Sequence, residues 1–243
     1  VMHEGVVSTR LGLPGIPSAA EEAAVARAII LAELTGACLH LGPLSCAASV
    51  DALARAKARG IRVSGSVSIG HLHLTADDVA KEWSSHLRTE PPYRCESDRL
   101  RLLSGVVDGT IDALSAVDRP QSRVEKAVPF GRAAPGALGF ESAIGLGLRL
   151  VGSGQLSLSR FVSAFSVEPR RIIGAPLNPI AVGERADLTI FDPAICEVPT
   201  FVDRAGLAEN SAFAQDELPG KIMLTMVDGK VAYMSAEAKG WNT

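Results

Sequence analysis

Any chemistry this chain performs must come from a short list of side chains. His71 and His73 are two residues apart, and on a strand a His-x-His pair puts two imidazoles on one face, where they could hold a metal ion. Leu72 and Leu74 alternate with them, so the packing reading buries the leucines and leaves the histidines lining the opposite face; it is the preferred one. His3 lies in a glycine-containing loop and reads as exposed or hydrogen-bonded, although such a loop could reach a pocket. His86 beside Trp83 reads as a surface pair on a helix. Cys38, Cys46, Cys95 and Cys196 are scattered with no Cys-x-x-Cys spacing, which suits packing in a reducing cytoplasm better than disulfides or a thiolate metal site. Gly145 and Gly147 fall inside a helical pattern with no strand before them, so they predict close helix packing rather than a phosphate loop. Glu141 reads as an acidic residue favoured by a helix N-terminus, and Asp98, Arg99 and Arg101 as a solvated helical face. The densest signal is the stretch from Ile111 to Gln121, IDALSAVDRPQ. It reads as a buried strand running into a turn, followed by Lys126 and Pro129-Phe130.

These residues need a scaffold, and the 243-residue chain is long enough for one large domain or one domain with an appendage. A hydrophobic fraction of 47% excludes disorder, and a formal net charge of -3 without a basic run leaves no electrostatic footprint for nucleic acid. No apolar run reaches the length of a membrane span, and Val1 to Gly5 lacks the pattern of a signal peptide, so a cytoplasmic protein is expected. A Gly- and Pro-rich loop fills residues 1–17. Ser18 predicts a helix start with Glu21 at capping-box spacing, and Gly36 predicts its stop. Leu39 to Leu44 has strand length. Ser45 is the expected cap of a helix over 47–59, and Ile61 to Val67 alternates apolar with small or polar residues as a strand does. A turn at Glu90-Pro91-Pro92 precedes a helix over 97–107, and a strand is expected over Thr110–Val117. Helices follow near 140–151, 158–167 and 169–173, then strands at 187–191 and 221–234 with a hairpin turn at Asp228-Gly229. Alternating strands and helices argue for an α/β fold with parallel strands. Only three strand-like segments lie between His3 and Val117, whereas a closed parallel barrel needs eight. The chain therefore reads as the second half of a longer protein, the other possibility being a smaller α/β sheet.

Several segments, in order, resemble bacterial dihydroorotases of the multifunctional-complex type, members of the amidohydrolase superfamily. They are Arg10 to Pro17 (RLGLPGIP), Ala32 to Gly36 followed by Leu39-His40, Thr75, Pro91-Pro92 with Arg94, Asp108 to Asp112, Ala186 to Pro193, and Asn210-Ser211 with Phe213. The resemblance implies the second half of a (β/α)8 TIM-type barrel over residues 1–180, with strands six to eight. It also implies a small C-terminal β-sandwich portion over 181–243. The remaining metal ligands would lie upstream.

A zinc hydrolase of this kind needs imidazole and carboxylate ligands at strand ends and a carboxylate to take the proton from metal-bound water. By the resemblance, the sixth-strand His position is occupied by Pro43 and the eighth-strand Asp position by Val117. The substrate-orienting His position is occupied by Gln121 and a substrate-facing Asn position by Glu90. A Phe-Gly pair that touches substrate becomes Pro135-Gly136, and a His-His pair becomes Gly70-His71. Neither proline nor valine can ligate a metal or carry a proton. Asp118, one residue past Val117, is a weak substitute because a one-residue shift on a strand turns a side chain to the other face. His71 and His73 are equally weak metal candidates. His40, three before Pro43, points away from it and reads as a packed histidine.

The resemblance and these losses together imply a catalytically degenerate dihydroorotase-like protein of pyrimidine biosynthesis. It is expected to fold with zinc absent or substoichiometric, and to act as a homo-oligomeric scaffold and assembly partner of aspartate transcarbamoylase. The alternative is an active zinc-dependent cyclic amide hydrolase with an altered pocket re-lined by Glu90, Asp118 and Arg119. A one-residue slip of the comparison at Val117-Asp118 is a third reading, opposed by the gap-free run from Pro92 to Asp112 and by Pro120.

Overall fold

The structure is a computed structural model in which residues 1–200 and 210–242 are described, 240–242 by backbone alone. Strand β1 (Met2–His3) is followed by helix α1 (Val6–Leu11), strand β2 (Gly15–Ile16) and helix α2 (Ser18–Thr35). Next come β3 (Leu39–Leu41), α3 (Ala47–Ala58), β4 (Val63–Ser68), α4 (Ala76–Glu82), α5 (Glu96–Asp108) and β5 (Ala113–Ser115). The chain then forms α6 (Arg123–Lys126), α7 (Phe140–Gly152) and α8 (Leu158–Val162). A π-helical turn over 163–167 leads into α9 (Glu168–Ile172), and β6 (Leu188–Glu197), β7 (Leu218–Val227) and β8 (Lys230–Met234) follow, with a 3-10 turn over Glu237–Asn242 last.

Strands β3, β4 and β5 form a parallel sheet in that order, pairing Leu41 with Gly65, Val67 with Leu114 and Ser68 with Ser115. The period of two splits the sheet into unlike faces. Leu41, Val63, Val67 and Leu114 are buried in one core with Val50 and Leu53 of α3 and Leu102 and Val106 of α5. Gly65 on that face admits Leu53, whose Cδ2 occupies the space a Cβ would need. The opposite face carries His40, Ser64, Ser66, Ser68, Ala113 and Ser115. Interiors of closed parallel barrels are filled chiefly by bulky branched side chains; here that face is small and polar.

Helix α2 buries Val25, Ile29 and Ala32, spaced to share one helical face, and stops at Gly36, which adopts a left-handed φ of 66°. The expected capping box does not form. Pro17 holds the N-cap position of α2, and Glu21 reaches a different helix. Its carboxylate accepts hydrogen bonds from the backbone nitrogens of Ser45 (2.9 Å) and Cys46 (3.2 Å) and from the Ser45 hydroxyl. Ser45 likewise is not the cap of α3. Cys46 holds that position without a side-chain bond, and Asp98 Oδ1 accepts from Ala47 N at 2.7 Å. Two carboxylates from α2 and α5 thus accept the amides of Ser45, Cys46 and Ala47 at the start of α3. Asp98 is accordingly buried, not part of a solvated face.

Strand β5 is shorter than its sequence suggests. Ile111 N bonds back to Gly105 O at 2.8 Å, and Val117, with φ 48°, takes the backbone out of the extended region. The lower end of β5 is tied by Lys57, whose ammonium lies 2.8 Å from Asp112, and by Arg160, which donates to the carbonyls of Val106 and Ile111 at 2.6 Å each. Gly145 and Gly147 pack as expected. A Cβ on Gly145 would stand 2.6 Å from Leu218 Cβ of β7, and one on Gly147 would collide with the Phe161 ring. Strands β6, β7 and β8 form an antiparallel sheet. The β7–β8 link is a two-residue turn in which Asp228 (φ 51°) and Gly229 (φ 73°) both adopt the positive φ that such a turn requires.

Candidate functional site

The C-terminal ends of β4 and β5 open onto a small cavity that brings together Gly70, His71, Glu90, Tyr93 and Val117, with Gly139 and Phe213 closing its far side. Its volume is about 30 Å³, room for one or two waters against the several hundred cubic ångströms typical of a substrate pocket. A larger hollow of about 320 Å³ lies between Trp83 and Arg123 and contains none of the strand-end residues.

His71 is the one imidazole in this cavity. Burial lowers its pKa to about 4, so the ring is neutral at physiological pH. Its Nε2 lies 3.1 Å from the carbonyl of Pro91, and Nδ1 is buried with no partner. Nε2 therefore carries the proton, and the Nδ1 lone pair remains a buried acceptor. The ring packs against Tyr93 at 4.8 Å, and burial pushes the Tyr93 phenol well above its ordinary pKa.

His71 and His73 do not share a strand face. Strand β4 ends at Ser68, and Ile69–Leu72 form a 3-10 turn that sends the two rings to different partners. His73 Nε2 lies 3.1 Å from the carbonyl of Leu146 in α7, its ring meets Phe213 edge-on, and burial lowers its pKa to about 4. Each histidine gives one ring nitrogen to a carbonyl, and the two imidazoles turn to different partners rather than lining one strand face. His40 stands on the polar face of the sheet. It is exposed, and its two ring nitrogens bridge Ser64 Oγ (2.8 Å) and Ser66 Oγ (3.0 Å) across β3 and β4.

Asp118 turns away from the cavity. Its Oδ1 accepts from Gly139 N at 2.9 Å and Phe140 N at 3.5 Å, which caps α7. Gln121 is outside the cavity too: its Nε2 donates to Pro135 O at 3.2 Å, and its backbone nitrogen donates to Asn210 Oδ1 at 2.8 Å. Pro135 and Gly136 do not line the cavity, whose wall is built by Ala137, Leu138 and Gly139. Gly136 instead gives its carbonyl to Lys126 Nζ at 2.9 Å. That ammonium also donates to Ser85 O and Arg88 O, and burial with nearby Arg88 and Arg119 lowers its pKa to about 8. Pro43 follows a cis peptide bond beyond β3 and does not line the cavity.

Asn210 was legible only as part of a motif, yet it organises this region. It is fully buried, donates to Arg119 O at 2.9 Å, receives the amide of Gln121, and its carbonyl receives Leu138 N at 3.0 Å. It thereby locks the loop after β5 to the loop before α7.

A zinc ion at the strand ends needs three or more nitrogen, oxygen or sulfur donors in one place. Val117, Pro43 and Gly70 offer none, Asp118 is committed to a helix, and what lines the cavity is one lone pair of His71 and the carboxylate of Glu90, short of three. This chain's own residues do not fit the metal there. Among the described residues, three ligating side chains come together only at His3, Cys95 and Asp98.

No family model matches the chain. It is similar to the dihydroorotase of Anaeromyxobacter sp. strain K, with 41% identity over 242 residues, 98% of this chain and 55% of that one. The chain spans about half the length of the curated relatives it matches. Among solved structures it is similar to the L-hydantoinase (dihydropyrimidinase) from Arthrobacter aurescens, with a TM-score of 0.79, 27% identity, and coverage of 88% of this chain and 48% of that one. It also shares its fold with the inactive dihydroorotase-like domain of the Chaetomium thermophilum CAD-like multifunctional protein. There the TM-score is 0.59 and the identity 18%, over 85% of this chain and 54% of that one. The mixed α/β architecture is thus that of part of an amidohydrolase barrel.

Proposed function

We propose that this chain carries the second-half strands of a dihydroorotase-like protein of pyrimidine biosynthesis that has kept the amidohydrolase frame and lost its hydrolytic chemistry. The observation that carries this reading is the end of β5. The position expected to hold a metal and move a proton is the valine Val117, and the neighbouring carboxylate of Asp118 caps α7. Position 43 is a proline with no donor. Glu90 adds an anion at the cavity, where it opposes entry of an acidic substrate such as dihydroorotate.

What remains useful in such a molecule is its surface. A structural role as a homo-oligomeric scaffold for aspartate transcarbamoylase, in the cytoplasm, fits a folded frame without a reaction. Among the described residues no helix is long and apolar enough to cross a membrane. The test is turnover of dihydroorotate and of a panel of cyclic amides by the full-length protein with zinc supplied. No turnover above a metal-only control is expected, and zinc-dependent hydrolysis at an enzymatic rate overturns the reading. Co-elution with aspartate transcarbamoylase subunits tests the scaffold role separately.

A further inference from the structure

His3 ends β1, Cys95 immediately precedes α5, and Asp98 lies in the first turn of α5. A ring nitrogen of His3, the Cys95 sulfur and a carboxylate oxygen of Asp98 all lie within 4.8 Å of one another. Cys95 Sγ is 3.0 Å from Asp98 Oδ2. The other carboxylate oxygen is fixed by Ala47 N at 2.7 Å, so Oδ2 is aimed at the sulfur by the packing of α5 on α3. Asp98 is only 8% exposed, while His3 and Cys95 are half-buried. We propose that His3, Cys95 and Asp98 form a mononuclear site for a thiophilic divalent metal such as zinc, with water as the fourth ligand.

The chemistry suits the donors. Imidazole, thiolate and carboxylate are each ordinary zinc ligands, and bonds of about 2.0–2.3 Å place tetrahedral ligands roughly 3.5 Å apart. The Cys95–Asp98 pair is already within that spacing at 3.0 Å, and the His3 nitrogen lies within 4.8 Å of both. The cysteine S–H proton leaves to solvent as the metal–sulfur bond forms. Arg94 works against the site, because its Nη1 lies 3.4 Å from His3 Nδ1. Its charge is met by the Glu21 carboxylate at 3.8 Å, and the guanidinium has further acceptors in Ser45 Oγ (3.0 Å) and Ile16 O (2.6 Å).

Cobalt(II) titration of the full chain, reduced with a phosphine, reads the site directly. A thiolate-to-cobalt charge-transfer band reaching its plateau at one equivalent is expected, bleached by added zinc. Cys95→Ser should abolish the band, and His3→Asn should weaken cobalt binding at least tenfold. Serine at position 95 leaves the α5 start intact, and matching circular dichroism of the metal-free variants controls for folding. His3→Asn gives an independent reading if the serine variant misfolds. Absence of the band at millimolar cobalt, or its persistence in Cys95→Ser, overturns the site. The proposal stands apart from the hydrolytic question, since the strand-end cavity offers no thiolate to produce such a band.

Discussion

Asp118 Oδ1 lies 2.9 Å from the amide nitrogen of Gly139, the residue that precedes α7. This bond decides between two readings of the end of β5. A carboxylate one residue past Val117 could have served as a displaced metal ligand or base, because the left-handed backbone of Val117 (φ 48°) interrupts the strand alternation that would fix its facing. The structure uses it as a helix cap. Asp118→Ala is expected to lower stability by about 1 kcal/mol, with Asp118→Asn keeping most of it because the acceptor survives. Urea midpoints of the two variants provide the check; an unchanged Asp118→Ala midpoint would show the cap to be idle.

The site should not return with its two missing ligands. Val117→Asp is expected to fold at least as stably as the parent, because a β-branched side chain is costly at positive φ and aspartate tolerates it better. Combined with Pro43→His it should still give no dihydroorotate hydrolysis. Gln121 remains bonded to Pro135, Glu90 still lines the cavity, and groups that act as a unit are not restored singly. Measurable zinc-dependent turnover by the double variant would show that only these two positions had been lost.

The helices were legible because their cues are local. Gly36 and Gly109 stop α2 and α5 in left-handed conformations, and Gly145 and Gly147 announced the close packing of α7. The β7–β8 turn was equally plain from Asp228-Gly229. What sequence could not show were partners distant in the chain. Glu21 has capping-box spacing within its own helix, yet its carboxylate serves Ser45 and Cys46, 24 and 25 residues away. Asp98 looked like a surface residue and serves Ala47, 51 residues away. The alternation of His71, Leu72, His73 and Leu74 mimics a strand, and nothing local reveals that β4 has already turned at Ile69.

Glu21 therefore has a measurable job. Its side chain accepts two backbone amides and the Ser45 hydroxyl and balances Arg94, whose side chain is only 2% exposed. Removing one member of a buried pair leaves an uncompensated charge, a loss on the order of 3 kcal/mol. Glu21→Gln should approach that figure in chemical denaturation, and Glu21→Gln with Arg94→Met should recover part of it. A double variant no better than the single one would locate the cost in the helix amides instead.

Acid sensitivity should trace to two histidines, His71 and His73. Burial depresses the folded-state pKa of His71 and of His73 to about 4, below the 6.5 of an unfolded imidazole. The unfolded chain thus binds these protons first as pH falls. The stability each contributes is complete above pH 6.5, declines as pH falls from there toward 4, and levels off below it. The shift corresponds to roughly 3 kcal/mol apiece at the limit. Unfolding free energies at pH 7.5 and 4.5 should therefore differ strongly in the parent and less so in His73→Gln, which has no imidazole to protonate. His73→Gln keeps a donor for the Leu146 carbonyl, so its stability at pH 7.5 should fall only modestly. Parallel pH profiles for parent and variant would assign the acid sensitivity to carboxylates elsewhere.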